Sequence, residues 1–332
     1  MEQHWRDVRN RKDEWGYLEV NVVDDMKPTL RLHSGGANRF KLVNQANPVF
    51  WGNIAHDYQG AWFLRNDNEW ELDQMPVRPI TSQDIENSLA LVGDDLSAYW
   101  CRFFAQSLAD SKASPLYQGK WQLTSKGGQV EQHDYALPVD SVKPENRFGF
   151  YHERPLWVDW GMSGSYILLS LKSVPDEENG RVKWWRKQVR QGTCPPALIW
   201  HIQSLSAYIV LDGHCRLRAF ELENKMPEFV ELSSVIEHKF EVNEPRAEAV
   251  YKNLEERQQH RWKNPLNVDE INNLLIHIFD NTPLKQSINK AKASKLLASE
   301  WLKEVQSFSG LPGTDEPELR DMIGNKHPEQ KA

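Results

Sequence analysis

The sequence predicts an α+β protein, and three observations carry that prediction. Runs in which apolar and polar residues alternate, the mark of half-buried strands, recur through the first 145 residues. Two β-rich apolar runs, ALIWHI and AYIVLD, are separated only by QSLS, the pattern of an antiparallel hairpin. Beyond residue 240 the apolar residues recur at helical spacing instead. With 332 residues, 39% hydrophobic and 26% charged, the chain has enough apolar surface for a sizeable core and about two or three domains. The expected division is an N-terminal α+β region over 1–145, a mixed α/β domain over 146–240, a helical region over 241–309 and a polar tail over 310–332.

GYLEVNVV and TLRLH read as strands, with Gly35 and Gly36 as the turn that follows. WFLRNDNEWEL reads as a hairpin whose polar tip is Asn66, Asp67 and Asn68. A helix begins at the Thr81/Ser82 cap and carries Ile85, Leu89 and Val92 on one face. A second carries Leu96, Tyr99, Trp100, Phe103, Phe104 and Leu108 as a buried stripe. The polar stretch from Ser125 to Arg147 reads as a linker. GSYILLSL is an apolar strand, and RVKWWRKQVRQG a short basic helix stopped at Gly192. AYIVLD then runs into GHCRLRAFELEN, a helix beginning at Gly213 or His214. NPLNVDE resembles a capping box ahead of Leu266, Ile271, Leu274, Leu275, Ile278 and Phe279. A last helix places Ile288, Ala291, Ala298, Trp301, Leu302 and Val305 on one side, and the chain from Gly310 on reads as a loose tail.

Composition excludes several classes. Lys and Arg total 40 against 47 Asp and Glu, a formal charge of −7, which argues against a nucleic-acid coat. No apolar run is long enough for a membrane span, and the charged start MEQHWRDVRNRKDEW has no apolar signal core, so a cytoplasmic protein is expected. Cys101, Cys194 and Cys215 form no CxxC and no close pair. The 14 tryptophans are expected to fill cores and interfaces rather than line a groove.

One segment carries chemistry: IVLDGHCRLRAFELE, residues 209–223. A buried strand ends at Leu211, Asp212 and Gly213 make a turn, and a helix begins. Its first turn exposes unpaired N–H groups at the positive end of the helix dipole, a natural anion seat. Gly213 permits the backbone that such a turn needs. Arg216 can grip a phosphate through two hydrogen bonds. His214 can donate to the same anion or act as acid or base, and Asp212 can meet a nucleotide-borne magnesium ion or accept a proton. The same residues also fit an ordinary Asp-Gly connector with a capping aspartate and solvated arginines. On the basic helix, Arg186 and Arg190 are four apart and share a face. If that face borders Gly213 they complete a polyphosphate site; otherwise the helix is a solvated one anchored by Trp184 or Trp185.

The run PPALIWHIQSLSAYIVLDGHCRLRAFELE resembles the ParB/sulfiredoxin superfamily, in which a strand leads into a DGHxR-type turn and a helix. The likeness covers the central domain alone and is nearest to bacterial ParB-like proteins. It implies nucleotide-phosphate binding at the turn. Sulfiredoxins use ATP to repair oxidised peroxiredoxins, ParB is a CTP-dependent clamp on DNA, and other members are free-serine kinases. Position by position, Gly213, His214 and Arg216 match the phosphate-binding turn, and Asp212 matches the acidic residue of the kinase-like motif. Sulfiredoxins have Gly-Cys-His-Arg, whereas here Cys215 follows His214, which puts a repair role in doubt. A thiol at a helix N-terminus can be reactive, and a buried small residue is the competing account of Cys215.

The resulting expectation is a nucleotide-phosphate-binding protein taking ATP or another nucleotide with Mg2+, with ATP-dependent phosphotransfer or NTP hydrolysis as its chemistry if it is an enzyme. Asp212, His214 and Arg216 are the candidate catalytic residues. Gly213, His214, Arg216, Arg186 and Arg190 are the candidate cofactor-binding residues, and Asp212 is the candidate metal contact. The alternatives are a non-catalytic module that meets a protein partner through its Trp-rich N-terminal region, and a ParB-like nuclease or DNA-binding protein. Gly161–Ser165 is one residue out of register for a nucleophile elbow. His201 reads as a packed residue rather than a metal ligand, and Asp24–Asp25, Asp94–Asp95 and Glu255–Glu256 as loop or helix-face charges.

Overall fold

Two mixed β-sheets and seven α-helices make up the described part of the chain in a computed structural model, which bears out the α+β expectation. The structure describes residues 3–10, 12–23, 28–66, 75–126, 155–160, 167–173, 175–238, 244–259, 272, 284–308 and 316–326. The chain divides into two compact units, one of residues 1–234 with 288–332 and a smaller one of residues 235–287. No described helix is long and apolar enough to cross a membrane.

The first sheet joins strands from far apart in sequence, in the order β1 (Gln3–Arg9), β2 (Trp15–Val22), β7 (Gly119–Lys126), β12 (Phe229–His238), β10 (Ala197–Ile202), β11 (Ala207–Asp212) and β9 (Ile167–Ser170). The regions expected on either side of residue 145 thus share one sheet. ALIWHI and AYIVLD are the antiparallel hairpin β10–β11, with a short 3-10 turn at Gln203–Leu205 between them. Parallel partners, β12 and β9, flank this hairpin. That position explains the unbroken apolar run of both strands, which are buried along their whole length but for Asp212.

The second sheet runs β14 (Ala291–Ala293), β3 (Leu30–Ser34), β4 (Arg39–Asn44), β5 (Asn47–Ile54), β6 (Gly60–Arg65) and β8 (Leu156–Asp159). Alternation decides its two faces. Leu32, Phe40, Leu42, Phe50 and Phe63 join the main core, where they meet Leu18, Val20 and Trp121 of the first sheet and Trp100 and Phe104 of α2 (Gly93–Asp110). Trp51, Trp62 and Leu64 point the other way, toward α6 (Leu297–Gln306) and α7 (Glu316–Gly324). Lys41 and the Trp51 indole both meet Glu304 of α6, at 2.9 and 2.5 Å. Asn53 donates to the Met322 carbonyl of α7 at 2.6 Å.

Helix α1 (Ser82–Ser88) starts at the expected cap: Thr81 and Asp84 form a reciprocal capping box, and Arg78 forks onto the Asp84 carboxylate. It is shorter than expected. Ile85 is buried, but Leu89 and Val92 lie past its end and are exposed, because the chain turns there to start α2. Residues 288–293, read as the start of a helix, instead hold the end of the strand β13 (Leu284–Ile288) and the strand β14, and helix begins only at Leu297. Pairing of β14 with β3 overrides the weak local helical pattern. The expected polar tail contains α7, whose Leu319 and Met322 are buried against Trp62 and Trp301. In the smaller unit lies α5 (Glu244–Gln259), with Leu254 buried.

The returning arm of the expected 62–72 hairpin, Gly161–Ser165, most of the 125–147 linker, the apolar series from Leu266 to Phe279 except residue 272, and Asp24–Asp25 lie outside the described residues. Of the 12 described tryptophans none is exposed. The described N-terminal tryptophans therefore serve the interior rather than forming a surface patch.

Candidate functional site

The residues of interest gather where β11 meets α4 (His214–Leu222), with α3 (Gly180–Gln191) alongside. Asn179 caps α3 by accepting from the Arg181 N–H at 2.8 Å, and Gly192 ends it in the left-handed region at φ +73°. Its buried stripe is Val182, Trp185 and Val189. Two sets of contacts fix how α3 lies against α4. Near the start of α4, Arg216 stacks over the Trp185 ring, its guanidinium carbon 5.1 Å from the centroid. At the far end, Arg186 and Arg190 grip Glu223 at 2.6 and 2.7 Å, and Lys225 donates to the Val189 carbonyl at 2.9 Å. The helices therefore run in the same direction, N-terminus beside N-terminus.

That arrangement corrects one expectation. Arg186 and Arg190 do share a face, but the face is spent on Glu223, the C-cap of α4, and not on the Gly213 turn. Nine residues of helix, roughly 13 Å, separate Arg190 from Arg181. It is Arg181, at the N-terminal end of α3, that faces the turn. Its guanidinium lies over the rings of Trp184 and Trp185, at 4.6 and 4.8 Å, and donates to the Ile80 carbonyl. Burial lowers its pKa first and Arg216 lowers it further, while Cys215 and Asp212 act in the opposite sense.

The turn itself has the predicted form. Gly213 is the N-cap, at φ +110°, a conformation that side chains strain to adopt. A Cβ here would also come within 2.7 Å of the Ala197 Cβ. The Gly213 carbonyl accepts the first intrahelical bond, from Leu217 N–H at 2.8 Å, and among the described residues no side chain is seen to cap the helix. The N–H groups of its first turn are thus left for a ligand or solvent.

Arg216 is 2% exposed. Its Nη2 donates to the Pro196 carbonyl at 3.0 Å and to Asp212 Oδ2 at 2.5 Å, tying α4 to the start of β10 and the end of β11. Asp212 is consequently an ion-pair partner, not a free base. His214 is 6% exposed, and its pKa is pushed down to about 3, by burial first and then by Lys172, Arg65 and Arg216. A histidine held neutral across the physiological range is a hydrogen-bonding group and a poor proton shuttle there. Its Nε2 is buried and has no hydrogen-bond partner among the described residues, as is also true of Arg216 Nε. Burial raises the Cys215 pKa, although Arg181, Arg216 and Lys172 oppose the effect, so the thiol stays protonated. Cys194, nearby, is pushed up to about 12.

Sequence reasoning missed two cations that act on His214, Arg65 at the end of β6 and Lys172 just after β9, and on the basic helix it favoured Arg186 and Arg190 over Arg181. Arg65, Lys172 and Arg181 come from three separate elements, and no local spacing signals their convergence. No group of three or more His, Cys, Asp or Glu side chains able to hold a metal occurs among the described residues. His201 is a packed residue, as expected, its ring 5.1 Å from that of Tyr208.

No family model, curated protein or solved structure matches the chain.

Proposed function

We propose that the chain binds the phosphate groups of a nucleotide at the N-terminus of α4. The observation that carries this reading is the coincidence of a helix start with no side-chain cap from its glycine, Arg216 held beside it, the positive field of Lys172, Arg181 and Arg65 on His214 and Cys215, and a buried His214 Nε2 with no partner among the described residues. Helix dipole, free N–H groups and surrounding positive charge all favour a dianion at this point. The likeness of LDGHCR to the ParB/sulfiredoxin turn agrees with it. Gly213, His214, Arg216, Lys172 and Arg181 would hold a phosphoryl group; the nucleotide would bring its own leaving group to any transfer.

The geometry favours binding over phosphoryl transfer. A transferase of this design needs a base, and neither a neutral His214 nor an Asp212 committed to Arg216 fills that role. Magnesium fits poorly for the same reason, since among the described residues Asp212 is the one carboxylate these contacts place at the turn and it faces a guanidinium.

Thermal unfolding with ATP, ADP, CTP, GTP and inorganic pyrophosphate tests the reading. A ligand at ten times its Kd adds about 1.4 kcal/mol, a shift of a few degrees. Lys172→Gln and Arg181→Gln should each weaken the shift, read against each variant's own unliganded melting point because Arg181 also donates to the Ile80 carbonyl and stacks on Trp184 and Trp185. Arg216→Ala is a poor probe, because it strands Asp212 and costs about 3–5 kcal/mol of folding by itself. Absence of any shift with all five ligands at millimolar concentration refutes phosphate binding and turns attention to a protein partner.

A further inference from the structure

We propose that the open edge of β14 takes an acidic, extended segment of a partner protein as one more strand of the second sheet. The inference stands apart from the phosphate-binding reading, since β14 and the α4 turn belong to different sheets.

Among the described residues β14 ends its sheet and pairs only with β3, in parallel. One bond settles which of its main-chain groups face outward. The Ser294 N–H donates to the Ser34 carbonyl at 3.0 Å, so the groups of Ser294 and, two residues back, of Lys292 turn toward β3. Those of Ala291 and Ala293 turn away from it, and they meet no hydrogen-bond partner among the described residues. All three residues of β14 are exposed. Ala291 and Ala293 carry only methyl groups, so no bulky side chain bars a strand from approaching. An edge of this kind is a template for another extended chain.

Charge selects the chain. Between Asp280 and Glu300 the sequence holds four lysines and no acidic residue, in a protein of net charge −7. Two of these lysines are engaged: Lys285 meets Glu237 at 3.7 Å, and Lys290 donates to the Gln118 carbonyl at 3.2 Å. Lys292 and Lys295 are exposed and have no ion pair among the described residues. Lys292 stands opposite His33 of β3, with Arg31 two residues along on the same face. The field there is positive: after burial, Arg31, Lys292 and Lys41 all lower the His33 pKa, and Glu300 opposes them. Glu300 and Glu304 of α6 stand at Lys41, 3.8 and 2.9 Å away. Leu296, 67% exposed, adds an apolar contact beside Lys295. Lysines on a short edge also keep sheets from pairing at random. An acidic strand is the chain that such a guard admits.

Fluorescence anisotropy of the labelled heptapeptide Glu-Thr-Glu-Val-Glu-Thr-Glu, titrated with the full chain, is the experiment. The expected result is saturable binding that weakens about tenfold when Lys292→Glu and Lys295→Glu are combined. Ala293→Pro removes an outward N–H and leaves the β3 ladder whole, so it should cost about fivefold. The same peptide N-methylated throughout keeps its charges but cannot donate to an edge, and it should not bind. Should Ala293→Pro lose cooperative melting, the lysine variant and the methylated peptide carry the comparison. Equal binding of the methylated peptide, or of a single-stranded thymidine heptanucleotide, overturns strand addition in favour of a bare polyanion surface. Displacement by pyrophosphate places the peptide at the α4 turn and overturns it too. No binding at millimolar concentration, or binding indifferent to the lysine reversal, overturns the proposal and leaves Lys292 and Lys295 as guards of the edge.

Discussion

Replacing Gly213 with alanine should be among the most damaging single-methyl additions in the larger unit. Two costs combine. Holding a non-glycine residue at φ +110° costs on the order of 1–3 kcal/mol. The new Cβ would also lie 2.7 Å from the Ala197 Cβ and 3.2 Å from Arg216 Nη2, and relieving such overlap costs about 1–3 kcal/mol more. The sum, about 4 kcal/mol, corresponds to a fall in Tm of roughly 8 °C for a domain of this size. Urea unfolding followed by tryptophan fluorescence measures it, with Trp185 buried beside Arg216 of the turn. A second variant divides the loss. Ala197→Gly removes the colliding methyl without changing the backbone at 213, so the double-mutant cycle isolates the steric part as a coupling of about 1–3 kcal/mol. A loss below about 1 kcal/mol for Gly213→Ala, or no coupling to Ala197→Gly, would refute the account of why glycine stands here.

The other predictions are quicker to check. Folded His214 stays neutral down to about pH 3, whereas the unfolded side chain protonates near 6.5, so the unfolded state binds more protons in between and stability falls as pH drops from 6.5 toward 3. His214→Gln should flatten that limb of a stability-against-pH curve, and an unchanged slope would show that the imidazole is not held neutral. Arg190→Gln should leave pyrophosphate affinity within about twofold of the parent, because Arg190 serves Glu223 at the far end of α4; a larger loss would place it back at the anion. Cys101, Cys194 and Cys215 are free and all have raised pKa values. A thiol reagent at pH 7.5 should therefore label the native chain slowly and the denatured chain rapidly.

What could be read in the sequence follows from how local each signal is. The β10–β11 hairpin, the Asp212–Gly213 turn and α4 lie within 26 consecutive residues, 197–222, and their apolar runs, glycine and helix start are all local signs. Thr81 and Gly192 were legible as caps for the same reason, since each acts on residues within a turn of itself. The fate of Arg186 and Arg190 was not legible: i, i+4 spacing says that they share a face, but the partner of that face, Glu223, lies 33 and 37 residues away. Arg65 and Lys172 reach the turn from two different sheets, which no window of sequence can show. The misreading of 288–293 is instructive in another way. Ile288 and Ala291 have helical spacing, and Lys and Ala favour helices, yet the strand partner offered by β3 decides the outcome. In α7 the signal was present and passed over, because Leu319, Met322 and Ile323 have the 3-and-1 spacing of a helical stripe.

The pairing of Trp51 and Trp62 with α6 and α7 has a consequence for the chain while it is being made. The strands that bear these rings, β5 and β6, are complete in sequence by Arg65, but the first residue of α6 is Leu297, 232 positions later (297 − 65). At ordinary elongation rates that interval is on the order of ten to fifty seconds. Throughout it the two indoles and Leu64 lack the cover of α6 and α7, Trp157 of β8 being the one part of it that arrives earlier, and the polar groups waiting for the helices, Lys41 and Asn53, have no Glu304 or Met322 to meet. A nascent chain of this fold thus presents a tryptophan-bearing surface to the ribosome exit and its chaperones long before its own helices arrive. A chain arrested before Leu297 carries that surface permanently, which makes such truncations prone to self-association.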